Sequence, residues 1–358
     1  MTWTQQDYQF MSRALQLAKR GRYTCKPNPQ VGCVIVRDEA ILGEGWHEYA
    51  GQAHAEINAL KNVTDIAGST IYVTLEPCAH HGRTPPCIDA LIEKNISEIV
   101  IAMEDPNPLV SGKGIEKLKA SGIQVRTGLL EQQAKIINKG FTKRMRTGLP
   151  YISCKMAMSL DGRTALANGR SRWISSEESR KDVHRLRAET GAIASTAESV
   201  MADDALLTVR EFKEDFIPPL RVIIDRQGKM NESANIFSMP GKVVIYTQSS
   251  NLIIKNQQTD IVTIENDDEW LINVYKHLAT EYQVNNVLVE CGAGFSATLI
   301  NAKLVDELII FMAPMLLGSD ANALVDIKGI IDLNDAHELT LLDSRQIGKD
   351  LKLTYQFN

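Results

Sequence analysis

The sequence predicts an α/β protein of two domains, and three observations lead to that prediction. Its 358 residues exceed what one hydrophobic core usually serves. Short apolar runs rich in β-branched residues alternate with stretches at helical spacing, as in layered α/β folds. A basic helical stretch at 134–148 leads to Leu149-Pro150, and a second set of strand and helix signals starts at residue 151. We therefore expect the boundary between the domains near 146–150.

The first part begins with a helix and a buried strand. Thr4 precedes apolar residues at helical spacing, and Asp7 three residues later fits a capping box. VGCVIV at 31–36 is a continuous apolar run, typical of a strand buried on both faces. Helix and strand signals then alternate through AEINAL (55–60), TIYVTL (70–75), IDALIEKN (88–95), EIVIAM (98–103), GIEKLKAS (114–121) and IQVRTG (123–128).

The second part has clear strand signals separated by less regular sequence. A helix is predicted over 178–189, whereas 231–268 is polar and weakly patterned outside its one apolar run and receives no assignment. The predicted strands are YISCKMAMS (151–159), LRVIID (220–225), KVVIYT (242–247), NVLVE (286–290) and DELIIFMAP (306–314).

Composition excludes several classes of protein. Hydrophobic residues make up 44% and charged residues 23%, as in ordinary globular proteins. There is no apolar run of about 18 residues, so we expect no membrane contact. The polar N-terminus does not fit a signal peptide, so we expect a cytoplasmic protein with six reduced cysteines. The net charge of −5 argues against a nucleic-acid binder but allows a small phosphorylated ligand in a local cationic pocket.

A cluster of metal-ligating residue types occurs in TLEPCAHHGRTPPC at 74–87. Cys78, His80, His81 and Cys87 lie within ten positions. A catalytic zinc usually takes three protein ligands and leaves a fourth position for water, whereas a structural zinc takes four. Cys78 and Cys87 would supply two ligands in either case, and His80 or His81 would complete a structural site.

The HAE sequence at 54–56 favours the catalytic alternative. His54 would be the third ligand and Glu56 the proton carrier. Two residues on a helix differ by about 200° in direction, so both approach one metal only if the helix points its N-terminal end at it. Cys78 and Cys87 each precede a predicted helix, whose N-terminus would favour a thiolate.

These motifs match the signature of zinc-dependent hydrolytic deaminases, H-x-E…P-C-x-x-C, with one departure. HAE and Pro77-Cys78 fit, but eight residues rather than two separate Cys78 from Cys87. The inserted AHHGRTPP is a candidate for substrate recognition, and we single out His81 and Arg83 within it.

Two residues upstream are further candidates for substrate contact. Asn28 lies between two prolines just before the strand at 31–36, where a rigid turn would aim its amide at a heterocycle, unless it only caps the turn. His47 lies on the segment that leads to HAE, and it either contacts substrate or caps a turn.

The remaining cysteines carry no metal-binding pattern. Cys33 lies within an apolar strand and is expected to pack in the core. Cys25, Cys154 and Cys291 have no partner at metal-ligand spacing.

The residues together resemble a known family. PNPQVGCVIV, GWHEYAGQAHAE and TLEPCAHHGRTPPC are similar to the deaminase half of the bifunctional deaminase-reductases of riboflavin biosynthesis. KMAMSLDGRTA, SRWISS, ADDALLTVR and VDELIIFMAPMLLG resemble the reductase half. The resemblance covers nearly the whole chain and implies a cytidine-deaminase-like α/β/α domain at 1–147 and a dihydrofolate-reductase-like α/β domain at 148–358.

The resemblance also implies two consecutive reactions. The first is hydrolytic deamination of 2,5-diamino-6-ribosylamino-4(3H)-pyrimidinone 5′-phosphate, with one Zn²⁺ per chain on His54, Cys78 and Cys87 and with Glu56 as proton donor and acceptor. The second is reduction of the product's ribosyl chain to a ribityl chain by NADPH. A homodimer is expected, because families of this kind are often oligomeric.

The reductase site is less explicit in the sequence. GAGFSA at 292–297 is a glycine turn that enters a helix, an arrangement that can bind a phosphate. Too little chain follows it for a doubly wound domain built outward from that turn. Its late position better fits the reductase fold that the resemblance implies. Lys155 and Asp203 are both candidates for a general acid. By motif position, the cofactor contacts are Ala157, Trp173, Ser199, Asp203, Gly292, Ala293 and Gly294. By the same reasoning, the substrate contacts are Ser171, Arg187, Leu207, Arg210 and Glu290.

Two other functions would share part of this pattern. A nucleic-acid base deaminase would use the same zinc chemistry on a flipped base, with a basic groove and no affinity for NADPH. A non-enzymatic module would hold zinc with four protein ligands. The net negative charge and the reductase-like motifs of the second part disfavour the nucleic-acid deaminase. The HAE sequence disfavours the non-enzymatic module.

Overall fold

The computed structural model describes residues 2–79, 86–108, 110–265 and 267–357, which form two compact units, Met1–Leu149 and Pro150–Asn358. The first unit contains five strands: Gly32–Arg37 (β1), Ala40–Trp46 (β2), Thr70–Val73 (β3), Glu98–Ile101 (β4) and Gln124–Thr127 (β5). Its helices are Gln5–Ala18 (α1), Ala55–Leu60 (α2), Cys87–Glu93 (α3), Lys113–Ala120 (α4), Glu131–Ile137 (α5) and Lys139–Thr147 (α6).

Helices cover both faces of the first sheet, as the α/β/α prediction requires. The strand order is β2-β1-β3-β4-β5, with β1 antiparallel to both neighbours and β3, β4 and β5 parallel. Cys33 and Ile35 of β1 pack with α2, α3 and α4, whereas Val34 and Val36 pack with α1 and α5. The predicted burial of β1 on both faces, and of Cys33 in the core, is therefore confirmed.

The first helix of this unit confirms its predicted cap, whereas the helical stretch at its other end differs from the prediction. Thr4 caps α1, and its side chain and that of Asp7 form the predicted capping box. The helix predicted over 134–148 is instead two helices, because it is interrupted at Asn138. The Asn138 amide pairs with the Gln30 backbone, accepting from its N–H at 2.8 Å and donating to its carbonyl at 2.9 Å.

The second unit contains one large sheet with helices beside it. Its strands are Tyr151–Ser159 (β6), Arg163–Ala165 (β7), Ala192–Thr196 (β8), Leu220–Ile224 (β9), Val243–Thr247 (β10), Thr259–Thr263 (β11), Asn286–Val289 (β12), Glu307–Ala313 (β13), Asn322–Ala323 (β14), Leu339–Ile347 (β15) and Asp350–Phe357 (β16). Its helices are Glu177–Glu189 (α7), Ala197–Asp203 (α8), Trp270–Thr280 (α9) and Ala293–Asn301 (α10).

Nine of these strands form the sheet in the order β11-β10-β9-β8-β12-β6-β13-β16-β15. The pairs from β11 to β13 are parallel, and the hairpin of β15 and β16 is antiparallel at one edge. All five strands predicted for this part are present. The unassigned stretch 231–268 supplies β11, the edge strand at the other side, and a short 3₁₀ helix at Asn235–Ser238.

Two glycines allow β2 to lie directly against α2. A Cβ atom at Gly45 would lie 2.3 Å from the backbone nitrogen of Ala59 and 2.4 Å from the carbonyl oxygen of Ala55. A Cβ atom at Gly43 would lie 2.3 Å from the carbonyl oxygen of Ala59. Any larger residue would push α2 away from the sheet.

Gly45→Ala should therefore destabilise the first unit by about 1–3 kcal/mol, the usual cost of overpacking. Urea unfolding followed by circular dichroism measures the change. Gly191→Ala is the control, because its Cβ atom would meet nothing nearer than 3.4 Å. Equal unfolding midpoints for the two variants would show that α2 can shift without cost.

Candidate functional site

The N-terminal end of α2 brings His54 and Glu56 to one place. His54 is the N-cap residue and Glu56 lies in the first turn, where its side chain is only 3% exposed. This is the arrangement that the spacing of HAE requires, because only a helix end presents both side chains to one point. The adjoining loop is fixed by Asn58, whose amide donates to the carbonyl oxygen of Trp46 at 2.7 Å.

Cys78 and Cys87 meet His54 at the start of α3. The Sγ atom of Cys87 lies 3.2 Å from His54 Nδ1, and that of Cys78 lies 3.5 Å from the same atom. Cys87 begins α3, and its backbone N–H donates to Cys78 Sγ at 3.3 Å. The segment after Cys78 where a helix was predicted lies outside the described residues, and in the structure the backbone N–H at the start of α3 contacts the Cys78 thiol.

The three side chains fit a zinc ion. Their ligand atoms all lie within 4.8 Å of one another, the only such group of three or more among the described residues. Around a tetrahedral zinc, a nitrogen and a sulfur ligand are separated by about 3.5 Å, given the usual Zn–N and Zn–S bond lengths. The separations of 3.2 and 3.5 Å match that value. His81 and Arg83, like His80, lie outside the described residues.

The surroundings of Cys78 and Glu56 shift their pKa values in opposite directions, towards a thiolate at Cys78 and a protonated carboxyl at Glu56. Hydrogen bonding from the Cys87 thiol lowers the pKa of Cys78, with His54 adding to the effect. Burial raises the pKa of Glu56, whose carboxyl is also a hydrogen-bond partner of Cys87. The carboxyl is therefore both adjacent to the ligands and shielded from bulk water.

Asn28 and His47 form a pair next to the ligand group. The Asn28 amide nitrogen lies 3.0 Å from His47 Nε2, and His47 Nδ1 lies 3.2 Å from the carbonyl oxygen of Ala53, the residue before His54. Burial lowers the pKa of His47, so the ring is neutral near pH 7. A neutral ring accepts from the Asn28 amide through Nε2 and donates through Nδ1 to Ala53. Both residues thus border the metal ligands.

A second cluster of charged residues lies on β6, α7 and the end of β12. Arg187 forks onto Glu290, with Nε–Oε1 and Nη2–Oε2 distances of 2.6 and 3.1 Å. Lys155 Nζ approaches the same carboxylate at 3.4 Å. Burial would raise the pKa of Glu290, but Arg187 and Lys155 outweigh it and hold that pKa well below its usual range. The guanidinium of Arg187, a predicted substrate contact, is thus directed at Glu290 in this structure.

Arg210 lies beside this cluster with its side chain exposed. Its guanidinium donates to Thr208 Oγ1 at 3.0 Å, and Arg187 donates to the carbonyl oxygen of Thr208 at 2.8 Å. Leu207, at the start of the same segment, is only 2% exposed and packs in the core under β8 and β9. The two predicted arginines therefore converge on one segment.

The other predicted reductase residues occupy varied environments. Trp173 is 65% exposed, and the Arg180 guanidinium lies 4.6 Å from its ring centroid. Asp203 accepts a hydrogen bond from Arg172 through its backbone carbonyl. Ser199 donates its backbone N–H to Thr196 Oγ1 at the start of α8. Ser171 precedes Arg172, and Ala157 lies on β6 against the small apolar cluster under α7.

The predicted glycine turn enters α10 as expected and leaves open space. Gly292 is the N-cap residue of α10, and neither its Cβ position nor that of Gly294 has an atom within 4 Å. Ala293 lies between them as the first helical residue. A cavity of about 550 Å³ adjoins this helix, bounded by residues that follow β8 and β9 and by parts of α9 and α10. Its lining includes Thr196, Asp225, Arg226, Trp270, Phe295 and Thr298.

Two features of this second site escaped the sequence analysis. The cavity is lined in part by Arg226, which follows the predicted strand at 220–225, and by Trp270, which lies two residues beyond the stretch that received no assignment. His184 on α7 accepts the backbone N–H of Arg210 at 3.2 Å. A histidine three residues before Arg187 on a predicted helix was the one available signal, because residues at that spacing share a helix face.

Comparisons with known proteins match both units. Residues 4–103 match the family of the cytidine and deoxycytidylate deaminase zinc-binding region, and residues 150–353 match the RibD C-terminal domain. The riboflavin biosynthesis protein RibD of Haemophilus influenzae is 45% identical over 99% of this chain and 98% of its own length. That of Escherichia coli is 44% identical over 97% and 98%.

Solved structures are similar over the whole chain as well. Acinetobacter baumannii RibD is 41% identical with a TM-score of 0.92, covering 99% of both chains. A diaminohydroxyphosphoribosylaminopyrimidine deaminase/5-amino-6-(5-phosphoribosylamino)uracil reductase from Thermotoga maritima is 31% identical with a TM-score of 0.89 and the same coverage.

No helix in the described part of the chain is long and apolar enough to cross a membrane.

Cys87→Ser should abolish stoichiometric zinc binding, because it removes a thiolate from a three-ligand site. Metal analysis of the purified protein should give about one zinc per chain for the unchanged sequence and near zero for the variant. Cys291→Ser, which alters a cysteine outside the ligand group, should keep full zinc content. Retention of zinc by Cys87→Ser would contradict the ligand assignment.

Proposed function

Because the chain belongs to the RibD family of bifunctional deaminase-reductases of riboflavin biosynthesis, we propose specific substrates and residue roles for its two activities. Residues 1–147 would form the deaminase and residues 148–358 the reductase, a division two residues before the structural one. The observation that supports the deaminase most directly is the convergence of His54, Cys78 and Cys87 beside a buried Glu56.

The deaminase acts on 2,5-diamino-6-ribosylamino-4(3H)-pyrimidinone 5′-phosphate and releases ammonia. His54, Cys78 and Cys87 hold one zinc, which when bound supplies a water molecule with a pKa lowered towards about 7. Glu56 accepts a proton at its carboxylate as water attacks the ring carbon and returns it to the departing amino nitrogen. Burial suits Glu56 to this role, since a raised pKa lets the carboxyl both take and give a proton near neutral pH.

Substrate recognition at this site involves Asn28 and His47, joined by His81 and Arg83. The Asn28 amide presents donor and acceptor atoms to a pyrimidine edge, and His47 fixes its orientation. Arg83 suits the 5′-phosphate, because a guanidinium binds a phosphate with two parallel hydrogen bonds.

The reductase uses NADPH to convert the ribosyl chain of 5-amino-6-(5-phosphoribosylamino)uracil to a ribityl chain. The cofactor carries the hydride, so the protein's task is to position it against the sugar carbon. The open glycine turn and the adjoining cavity support cofactor binding there. The proposed cofactor contacts are Ala157, Trp173, Ser199, Asp203, Gly292, Ala293 and Gly294.

The charged cluster supports binding of the phosphorylated sugar. Lys155, Arg187 and Arg210 supply three cations against the carboxylates of Glu290 and of Glu211 beside Arg210, which leaves a net positive site for a phosphate. The proposed substrate contacts are Ser171, Arg187, Leu207, Arg210 and Glu290. Lys155 and Asp203 remain the two candidates for a general acid.

We also propose a cytoplasmic homodimer that binds neither nucleic acid nor membrane. All six cysteines are free, as expected in a reducing compartment. Exposed apolar side chains on the terminal hairpin support the dimer. Leu341 and Leu342 of the edge strand β15 are 52% and 51% exposed, and Leu351 of β16 is 40% exposed. A long exposed edge strand with apolar residues can pair with another chain through its unpaired backbone groups.

Glu56→Gln should lower deamination by at least about 100-fold, the lower range for loss of a general acid-base group. Ammonia release from the diaminopyrimidine phosphate and NADPH absorbance are followed together. Reduction of supplied deaminated intermediate, and zinc content, should be unchanged. The matched control is Glu116→Gln, an exposed residue of α4. Near-normal ammonia release by Glu56→Gln would overturn the assigned role.

Leu341→Glu should convert the dimer to a monomer, because it places a charge in an apolar contact. Light scattering on a sizing column measures the mass. Ile331→Glu, at a residue that is 95% exposed and outside the hairpin, should leave the dimer intact. A monomeric unchanged protein would contradict the dimer, and a dimeric Leu341→Glu would place the interface elsewhere.

A further inference from the structure

The segment that carries Arg210 adopts an unfavourable backbone conformation. Leu207 and Glu211, which flank Thr208 and Arg210, have φ angles of 51° and 53°. Residues with side chains rarely adopt this left-handed region, and it persists only where surrounding contacts enforce it. The segment therefore depends on its anchors to hold the shape seen here.

Helix α7 supplies two of these anchors from one face. His184 Nδ1 accepts the backbone N–H of Arg210 at 3.2 Å, and Arg187 Nη1 donates to the carbonyl oxygen of Thr208 at 2.8 Å. His184 and Arg187 are three residues apart on the helix, so both side chains point towards the segment. Leu207, buried in the core, holds the other end.

The charge state of His184 suits an anchor in a cationic site. Burial lowers its pKa to about 4, and the positive charges of Arg187 and Arg210 add to the effect. The ring is therefore neutral near pH 7. Because Arg210 donates to Nδ1, the proton of the neutral ring lies on Nε2. His184 accepts a hydrogen bond without contributing a further positive charge.

We propose that His184 is a positioning residue that fixes the Arg210 backbone so that its guanidinium meets the phosphate of the reductase substrate. This rests on the proposed function, in which Arg210 contacts the phosphorylated sugar. Arg187 is engaged with Glu290, so Arg210 is the exposed arginine of this cluster whose direction depends on His184. His184 itself contacts neither substrate nor cofactor in this proposal.

The test compares His184→Leu, which removes the acceptor, with His184→Asn, whose side-chain oxygen takes the place of Nδ1. We expect His184→Leu to raise the KM for 5-amino-6-(5-phosphoribosylamino)uracil about tenfold, from loss of an orienting hydrogen bond. The KM for NADPH and the kcat should stay within about twofold, because neither depends on Arg210. His184→Asn should recover most of the affinity, and His337→Leu, at an exposed histidine elsewhere in the unit, should match the unchanged enzyme.

Two further arms separate positioning from general damage to the fold. The effect of His184→Leu should largely vanish on the dephosphorylated ribosyl substrate, and in the Arg210→Ala background it should add less than about twofold. An unchanged KM in His184→Leu, a full effect on the dephosphorylated substrate, or full additivity with Arg210→Ala would each overturn the proposal. If the unchanged enzyme failed to reduce the phosphorylated substrate at all, the proposed function would fail instead.

Discussion

The convergence of one imidazole and two thiols at the N-terminal ends of α2 and α3 is the constraint on which the first unit depends. Two short helices must present their first turns to the same point, which requires the sheet to approach α2 closely. Gly43 and Gly45 permit that approach, because any side chain there would collide with the helix backbone. Strand β2, which contributes no ligand, thus determines where His54 and Glu56 lie.

The second unit is organised around a different constraint, a carboxylate that is mostly removed from water and must be compensated. Removing Glu290 from water is costly unless opposite charges and hydrogen bonds replace the lost solvation. Arg187 and Lys155 provide them, and Arg187 extends the network to Thr208. The same network leaves an excess of positive charge at the surface, which is the property a phosphorylated sugar requires. The side chains that compensate Glu290 are therefore among those that we propose for substrate binding.

The metal ligands could be predicted because they lie in local sequence motifs. Features that depend on packing between distant parts of the chain could not be predicted. HAE and the two cysteines carry their chemistry in residue type and spacing, and the structure brings them together. Strand β2 was missed because its two glycines and one glutamate obscure any strand pattern, although those glycines are what allows α2 to lie against it. The helix at 134–148 was predicted as continuous because Asn138 breaks it through a contact with Gln30, over 100 residues away. The contact of His184 with Arg210 spans 26 positions, and the cavity is lined by residues from 196 to 302, so no local motif indicates either feature.

X-ray absorption at the zinc edge tests the central claim most directly, because it counts the atoms around the bound ion. We predict two sulfur atoms, one imidazole nitrogen and one oxygen from exchangeable water, with distances of about 2.3 Å for sulfur and about 2.0–2.1 Å for nitrogen. Addition of a pyrimidine inhibitor should alter the oxygen shell alone. Scattering from a second imidazole, as a fourth protein ligand such as His80 or His81 would give, would contradict an open catalytic position.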